Sequence, residues 1–212
     1  MKRFLVVLFL LSSFFASSQP VETYVKSSSE PWRYGLRGGV SYDGVSLQQG
    51  VEYKFGYKLG LVAEKRLVYN LYFQPAMTFH KKGYAFEQRF HSKGDVDAMV
   101  IELAANLLLK FGDARLGKGF YIGVSPYVSF GVGGKTKVED LRNTDDNWGV
   151  IEDNSFSLHR MRTMDIGFLL GIGYDFNHSY EIGAYYCMGL QSTLRTANFM
   201  WRGFQLNLSY FF

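Results

Sequence analysis

Four histidines, one cysteine and a scatter of serines are what this chain offers for nucleophilic or metal chemistry. Ser155, Ser157 and His159 lie close together, with Glu152 and Asp153 beside them. A hydroxyl, an imidazole and a carboxylate are the groups an acyl-transfer relay uses. His80 and His91 form a second, looser group. Neither group has the spacing of a catalytic motif, and each imidazole is expected in a solvated loop or at a strand end, so the chain reads as non-enzymatic. Cys187 can form no internal disulfide, and no Cys/His cluster has metal-ligand spacing, so no metal or cofactor is expected. In a strand it is a small packed residue.

The side chains of Arg37, Lys58, Glu64, Glu102, Lys110, Asp165 and Glu181 carry both signs of charge, and each sits within a stretch that alternates with period two. That period belongs to strands with two unlike faces. In the last stretch Phe204, Leu206, Leu208, Tyr210 and Phe212 oppose Gly203, Gln205, Asn207 and Ser209. Ile182 to Leu190, Met164 to Tyr174 and Phe120 to Phe130 repeat the pattern, with Gly, Ser and single charges on the second face. Met99 to Leu109, Leu71 to Phe79, Tyr57 to Glu64 and Trp32 to Tyr42 complete a set of eight.

The connections alternate in length. About ten residues follow Asp43, then come a tight turn at Val68–Asn70, a longer loop at Lys81–Asp95 and a short one at Gly112–Gly119. The longest is Gly134–Arg160, before a tight turn at Asp175–His178 and a medium loop at Gln191–Ala197. Long and short ends therefore segregate, as in an up-and-down antiparallel barrel with both termini on the short-turn side. Strands of about 10 residues, tilted by about 40°, rise about 25 Å, the height of the apolar band of outer-membrane barrels.

Volume decides which face is inside. Eight strands enclose an interior just wide enough for side chains to fill, which faces of Phe, Tyr, Leu, Ile and Met would overfill, so the Gly- and Ser-rich faces must point inward and the bulky faces outward. The seven charged residues then share a narrow lumen in which opposite signs can pair. Turned outward, each unpaired Lys or Arg would cost roughly 2–4 kcal/mol at the bilayer midplane. On the outward face Lys65, Lys81 and Arg202 fall only near strand ends, where long side chains reach the headgroups.

Met1-Lys2-Arg3, an apolar run from Phe4 to Phe15 and Ala16-Ser17-Ser18 have the order of a secretory signal, with cleavage expected after Ser18. The run is too short to span a bilayer as a helix, and no later stretch is long and apolar enough. The expected organisation is a signal peptide at 1–18, a short periplasmic segment at 19–31 and one eight-stranded outer-membrane β-barrel over 32–212, its termini periplasmic, in a Gram-negative bacterium. The mild net charge of +4 is spread among tyrosines and glycines with no basic block, so nucleic acid is not an expected partner.

Gly60-Leu61-Val62-Ala63-Glu64, then Leu71 to Ala76 and Lys82-Gly83, resemble the second hairpin of the PorT-like outer-membrane β-barrel proteins. Gly119 to Tyr127, the Gly-Ile-Gly-Tyr-Asp-Phe run in the stretch from Gly167, and Tyr185 to Leu190 before a final aromatic strand extend the resemblance over nearly the whole mature chain. It implies an integral outer-membrane barrel and, for PorT itself, a part in type IX secretion and gliding machinery.

Three functions fit such a barrel. Charges in the lumen suit a small diffusion pore, but narrow barrels fill their interiors, which favours a paired supporting network. A lipid-modifying enzyme would need the Ser/His groups above. A structural or protein-interaction barrel would use its outside loops, and Gly134–Arg160, with Lys135, Lys137, Arg142, Asp145 and Trp148, is the expected contact surface because loops of that length are uncommon without a role. Leu208, Tyr210 and Phe212 at the C-terminus have the look of the signal that barrel-assembly machinery reads, and membrane lipid is the other expected partner.

Overall fold

The computed structural model describes residues 31–46, 50–88, 92–113, 118–140, 150–156, 161–193 and 199–212. The expected signal peptide and all but the end of the 19–31 segment lie outside these. So do His91, Arg142, Asp145, Trp148, Ser157 and His159.

Every regular element among the described residues is a strand. In chain order they are β1 (Arg33–Val45), β2 (Val51–Val68), β3 (Leu71–Gln88), β4 (Ser92–Asp113), β5 (Lys118–Asp140), β6 (Val150–Asn154), β7 (Met164–Asp175), β8 (Tyr180–Ser192) and β9 (Met200–Phe211). Eight of them close a ring in which each pairs antiparallel with its neighbours, β4 with β5 and β1 with β9 included. Closure leaves no strand edge and pairs the backbone internally, as a bilayer demands. The short β6 stands outside the ring and pairs only with the far part of β5, where Lys135↔Asn154 to Glu139↔Val150 continue the ladder past the end of β7. The C-terminus is tied down by Phe212 N–H donating to the Tyr34 carbonyl.

The bulky set faces outward. Phe55, Leu59, Ile172, Phe204 and Leu208 are each more than half exposed, while Arg37, Lys58, Gln205, Asn207 and Ser209 are buried. Tyr69 takes a left-handed φ of 43° in the two-residue β2–β3 turn.

Three expected connections are corrected. β1 and β2 reach to Val45 and from Val51, so their loop is shorter than ten residues. Lys81–Asp95 is mostly ladder, because β3 and β4 pair continuously from Lys81↔Met99 to Gln88↔Ser92. Gly134–Arg160 begins with seven more residues of β5 and contains β6. These extensions lie beyond the apolar band, where outward positions have no lipid to match. Asp95↔Lys137 and Asp97↔Lys135 face each other across β4 and β5, and opposite charges in such pairs favour the ladder.

Small inward residues make room for large ones. A Cβ on Gly173 would collide with the Tyr121 ring, one on Gly183 with the Tyr121 hydroxyl, and one on Gly171 with Tyr185. Tyr121, Tyr185, Leu108, Tyr127, Leu169 and Cys187 pack as one buried cluster against that wall.

Candidate functional site: the charged lumen

From the terminus end inward, the first layer is built by the inward positions of β1, β2, β3, β4, β7, β8 and β9. Lys110 Nζ donates to Glu64 Oε2 and to Asp175 Oδ2, both at 2.7 Å, and stands 3.6 Å from Glu181. Arg33 closes on the other oxygen of Glu64. Arg37 donates to Glu181 Oε1 at 3.0 Å, to Ser209 Oγ at 2.9 Å and to Gln74, and Gln74 Nε2 donates to Glu64 and Glu181 at 2.9 and 2.7 Å. The amide of Gln74 thus bridges the carboxylates of β2 and β8 while its oxygen serves Arg37.

The second layer centres on Lys58, whose ammonium donates to Glu102 Oε1 and Gln205 Oε1, both at 2.8 Å. His80, fully buried, has Nε2 2.9 Å from Ser41 Oγ and 3.2 Å from Asp43 Oδ2, with Nδ1 3.6 Å from Glu102. Ser41 donates to Asp43 at 2.5 Å. The third layer pairs Lys82 with Asp165 at 3.6 Å, beneath the Trp201 ring at 4.5 Å. Tyr127 O–H donates to the same carboxylate at 2.9 Å. Above this, Val45, Tyr84, Val96, Ala98, Met161 and Trp201 form an apolar cluster across the long-hairpin end.

Little space is left between layers. The voids beside Lys58 and Glu102, and beside Lys82 and Asp165, are each about 10 Å³, room for about one water. Among the described residues the terminus end opens into a vestibule of about 240 Å³ lined by Arg33, Glu64, Arg66, Lys110, Asp175 and His178 among others.

All seven charged residues singled out in the sequence point into this interior. His80 is a correction: it lies in neither a loop nor a strand end, since β3 continues past it. Asp43, Lys82 and Asp175 join the network as well, and sequence reasoning missed them. Their signal was present, because 43 continues the inward series of Arg37 and Ser41, 80 and 82 that of Gln74 and Thr78, and 175 that of Asp165.

The Ser41–His80 contact, with Asp43 and Glu102 around the ring, has the group types of a hydrolytic relay, and both Ser41 and His80 are buried in the lumen. Ser155 is equally occupied. Its hydroxyl accepts from Thr136 at 2.9 Å and donates to the Asp97 carbonyl at 2.7 Å, and Glu152 and Asp153 lie in β6. Lys135 and Lys137 stand exposed on the β5 extension. Beyond the apolar band, Lys54 bonds Asp97 at 2.6 Å and also Asp95, and Lys81 lies 3.3 Å from Asp97. Partial burial alone would raise the Asp97 pKa, but these two ammonium groups hold it below the usual carboxylate range. Leu208, Tyr210 and Phe212 face outward, the Tyr210 ring 5.1 Å from Tyr180 in an aromatic patch near the terminus end.

No curated protein matches this chain. Among solved structures it is similar to Ail, the attachment invasion locus protein of Yersinia pestis, at 13% identity over 86% of this chain and 100% of that one, with a TM-score of 0.46. It is similar also to Neisserial surface protein A, NspA, at 14% over 86% and 100% with a TM-score of 0.48. The outer membrane protein OprG from Pseudomonas aeruginosa matches at 14% over 85% and 94%, TM-score 0.37. The family model described as outer membrane protein beta-barrel domain matches residues 15–195, most of the chain. With its closed antiparallel ring and outward apolar belt, the chain therefore belongs to the outer membrane protein beta-barrel domain family and is an integral outer-membrane protein.

Proposed function

We propose that this barrel is a sealed structural or protein-interaction component whose work is done at its surface, without catalysis and without conduction. The observation that carries the reading is the axial stack itself: three layers of paired charges, tyrosines between them, and an apolar cap at the long-hairpin end. A diffusion pore needs a continuous water path, and voids of about 10 Å³ between layers do not provide one. Charges locked in pairs at 2.7–3.0 Å serve to hold opposite walls together.

What remains free to engage a partner is the part of the barrel that projects past the apolar band, namely the β3–β4 and β5–β6 hairpins. We take the short-turn end, with both termini, as periplasmic, which sets these hairpins outside the cell. The resemblance to PorT-like proteins makes secretion machinery the first partner to test. Leu208, Tyr210 and Phe212 are read as the C-terminal element recognised during barrel assembly, a role their outward placement leaves open to a docking protein.

The test is an affinity pull-down from outer membranes with the full chain and with a variant in which residues 137–152 are replaced by a short turn. Heat-modifiable migration checks that the variant still folds. A protein retained by the full chain and lost with the shortened hairpin is the expected outcome. An unchanged set of co-purifying proteins overturns the assignment of that hairpin.

A further inference from the structure

The outward belt is mostly bulky, and one of its recesses follows a row of alanine and proline residues across four neighbouring strands. Pro75 pairs with Ala105 across β3 and β4. The β2–β3 ladder steps from Val62↔Ala76 to Lys65↔Phe73, leaving Ala63 opposite Pro75. The β4–β5 ladder steps from Ala104↔Tyr127 to Leu107↔Val124, leaving Ala105 opposite Pro126. Proline cannot donate to a ladder and is rare inside strands, so two in one row mark a place where shape matters. The floor formed by Ala63, Pro75, Ala105 and Pro126 is walled on one side by Leu61, Met77 and Leu103, and the recess measures about 650 Å³.

The row also climbs through the belt. At β2, only Lys65 and Leu67 lie between Ala63 and the terminus-end edge; at β5, Val124, Ile122 and Phe120 separate Pro126 from it. The recess therefore starts at the interface and rises toward the bilayer centre. Two residues past Ala63 on the same face of β2, just outside the recess lining, stands Lys65, whose ammonium lies 5.7 Å from the Trp32 ring and has no ion-pair partner among the described residues. A cation beside an interfacial tryptophan, at the foot of a rising apolar trough, is complementary to a phosphate headgroup with its acyl chain above it.

We infer that this recess is a phospholipid site, in which one acyl chain lies over Ala63, Pro75, Ala105 and Pro126 while Lys65 binds the phosphate. The lipid comes from the leaflet at the terminus end, which is the periplasmic leaflet on the orientation proposed above. A second copy of this chain is the competing occupant, because small residues also let proteins pack closely in membranes. A protein partner would not require a lone cation at one end.

Native mass spectrometry of the folded protein in detergent, titrated with dipalmitoyl phosphatidylglycerol, decides. The wild type is expected to retain one lipid per chain. Ala63→Phe with Ala105→Phe, which fills the floor from the lipid side, should lower retention severalfold, whereas Ile122→Phe elsewhere on the belt should not. Lys65→Gln should weaken phosphatidylglycerol while leaving dipalmitoylglycerol, which lacks the phosphate, unchanged. Equal retention by the filled variant and the wild type overturns the site. So does a wild-type dimer that the filled variant dissolves. Lys65→Gln tests the headgroup contact even if the double variant fails to fold, and loss of both lipids alike in that variant overturns the contact. None of these outcomes depends on the hairpin partner.

Discussion

Glu102 accepts from Lys58 and faces His80, all three buried, so removing its carboxylate leaves a cation without compensation in the lumen. Breaking one half of a buried pair costs about 3–5 kcal/mol, whereas replacing both halves with apolar groups of similar size is often neutral. Glu102→Ala should therefore lower the unfolding free energy in lipid vesicles by an amount in that range, and Lys58→Met with Glu102→Leu should recover most of it. Equal losses in the single and double variants would mean that the pair itself stabilises the barrel. Lys54→Ala provides the contrast: its partners Asp95 and Asp97 are partly solvated, and exposed pairs contribute about 0–1 kcal/mol. At this scale the charges of Arg37, Lys58 and Glu102 were legible from alternation, because Gly and Ser neighbours marked the inward face. His80 and Lys82 continue the inward series of Gln74 and Thr78, but a run of charge at Lys81–Lys82 looks like the start of a loop when lipid contact is the only cue for a strand.

Along the elements, the wall made by β7 and β8 is thin on purpose: Gly173 and Gly183 leave the space that Tyr121 fills. Gly173→Val forces that ring out of its seat and should lower the denaturant midpoint, while Gly133→Ala, where an added Cβ meets nothing, should leave it unchanged. On the opposite face, Leu206→Arg puts a cation into hydrocarbon and should cost roughly 2–4 kcal/mol if it lies near the midplane. A change within a few tenths of a kcal/mol, read from the same vesicle unfolding curves, would place Leu206 away from lipid. Strand number, order and facing were readable because period two and bulk coincide within the belt. Strand ends were not, because beyond the belt β3, β4 and β5 run on under cross-strand pairing such as Asp97↔Lys135, with no hydrophobic contrast to signal it.

Orientation and closure belong to the whole molecule. Cysteine introduced at Asp95, on the β3–β4 hairpin, should react with a membrane-impermeant maleimide in intact cells, and cysteine at Asn177, in the β7–β8 turn, should react only after the outer membrane is opened. The reverse pattern would invert the barrel. Closure is tested most directly by single-channel recording of the purified protein in planar bilayers. With the Lys110, Lys58 and Lys82 layers paired and the apolar cluster around Trp201 above them, the reconstituted barrel should pass no steady ion current at moderate voltage. Reproducible unitary steps that scale with salt concentration would contradict a sealed lumen and make the protein a channel.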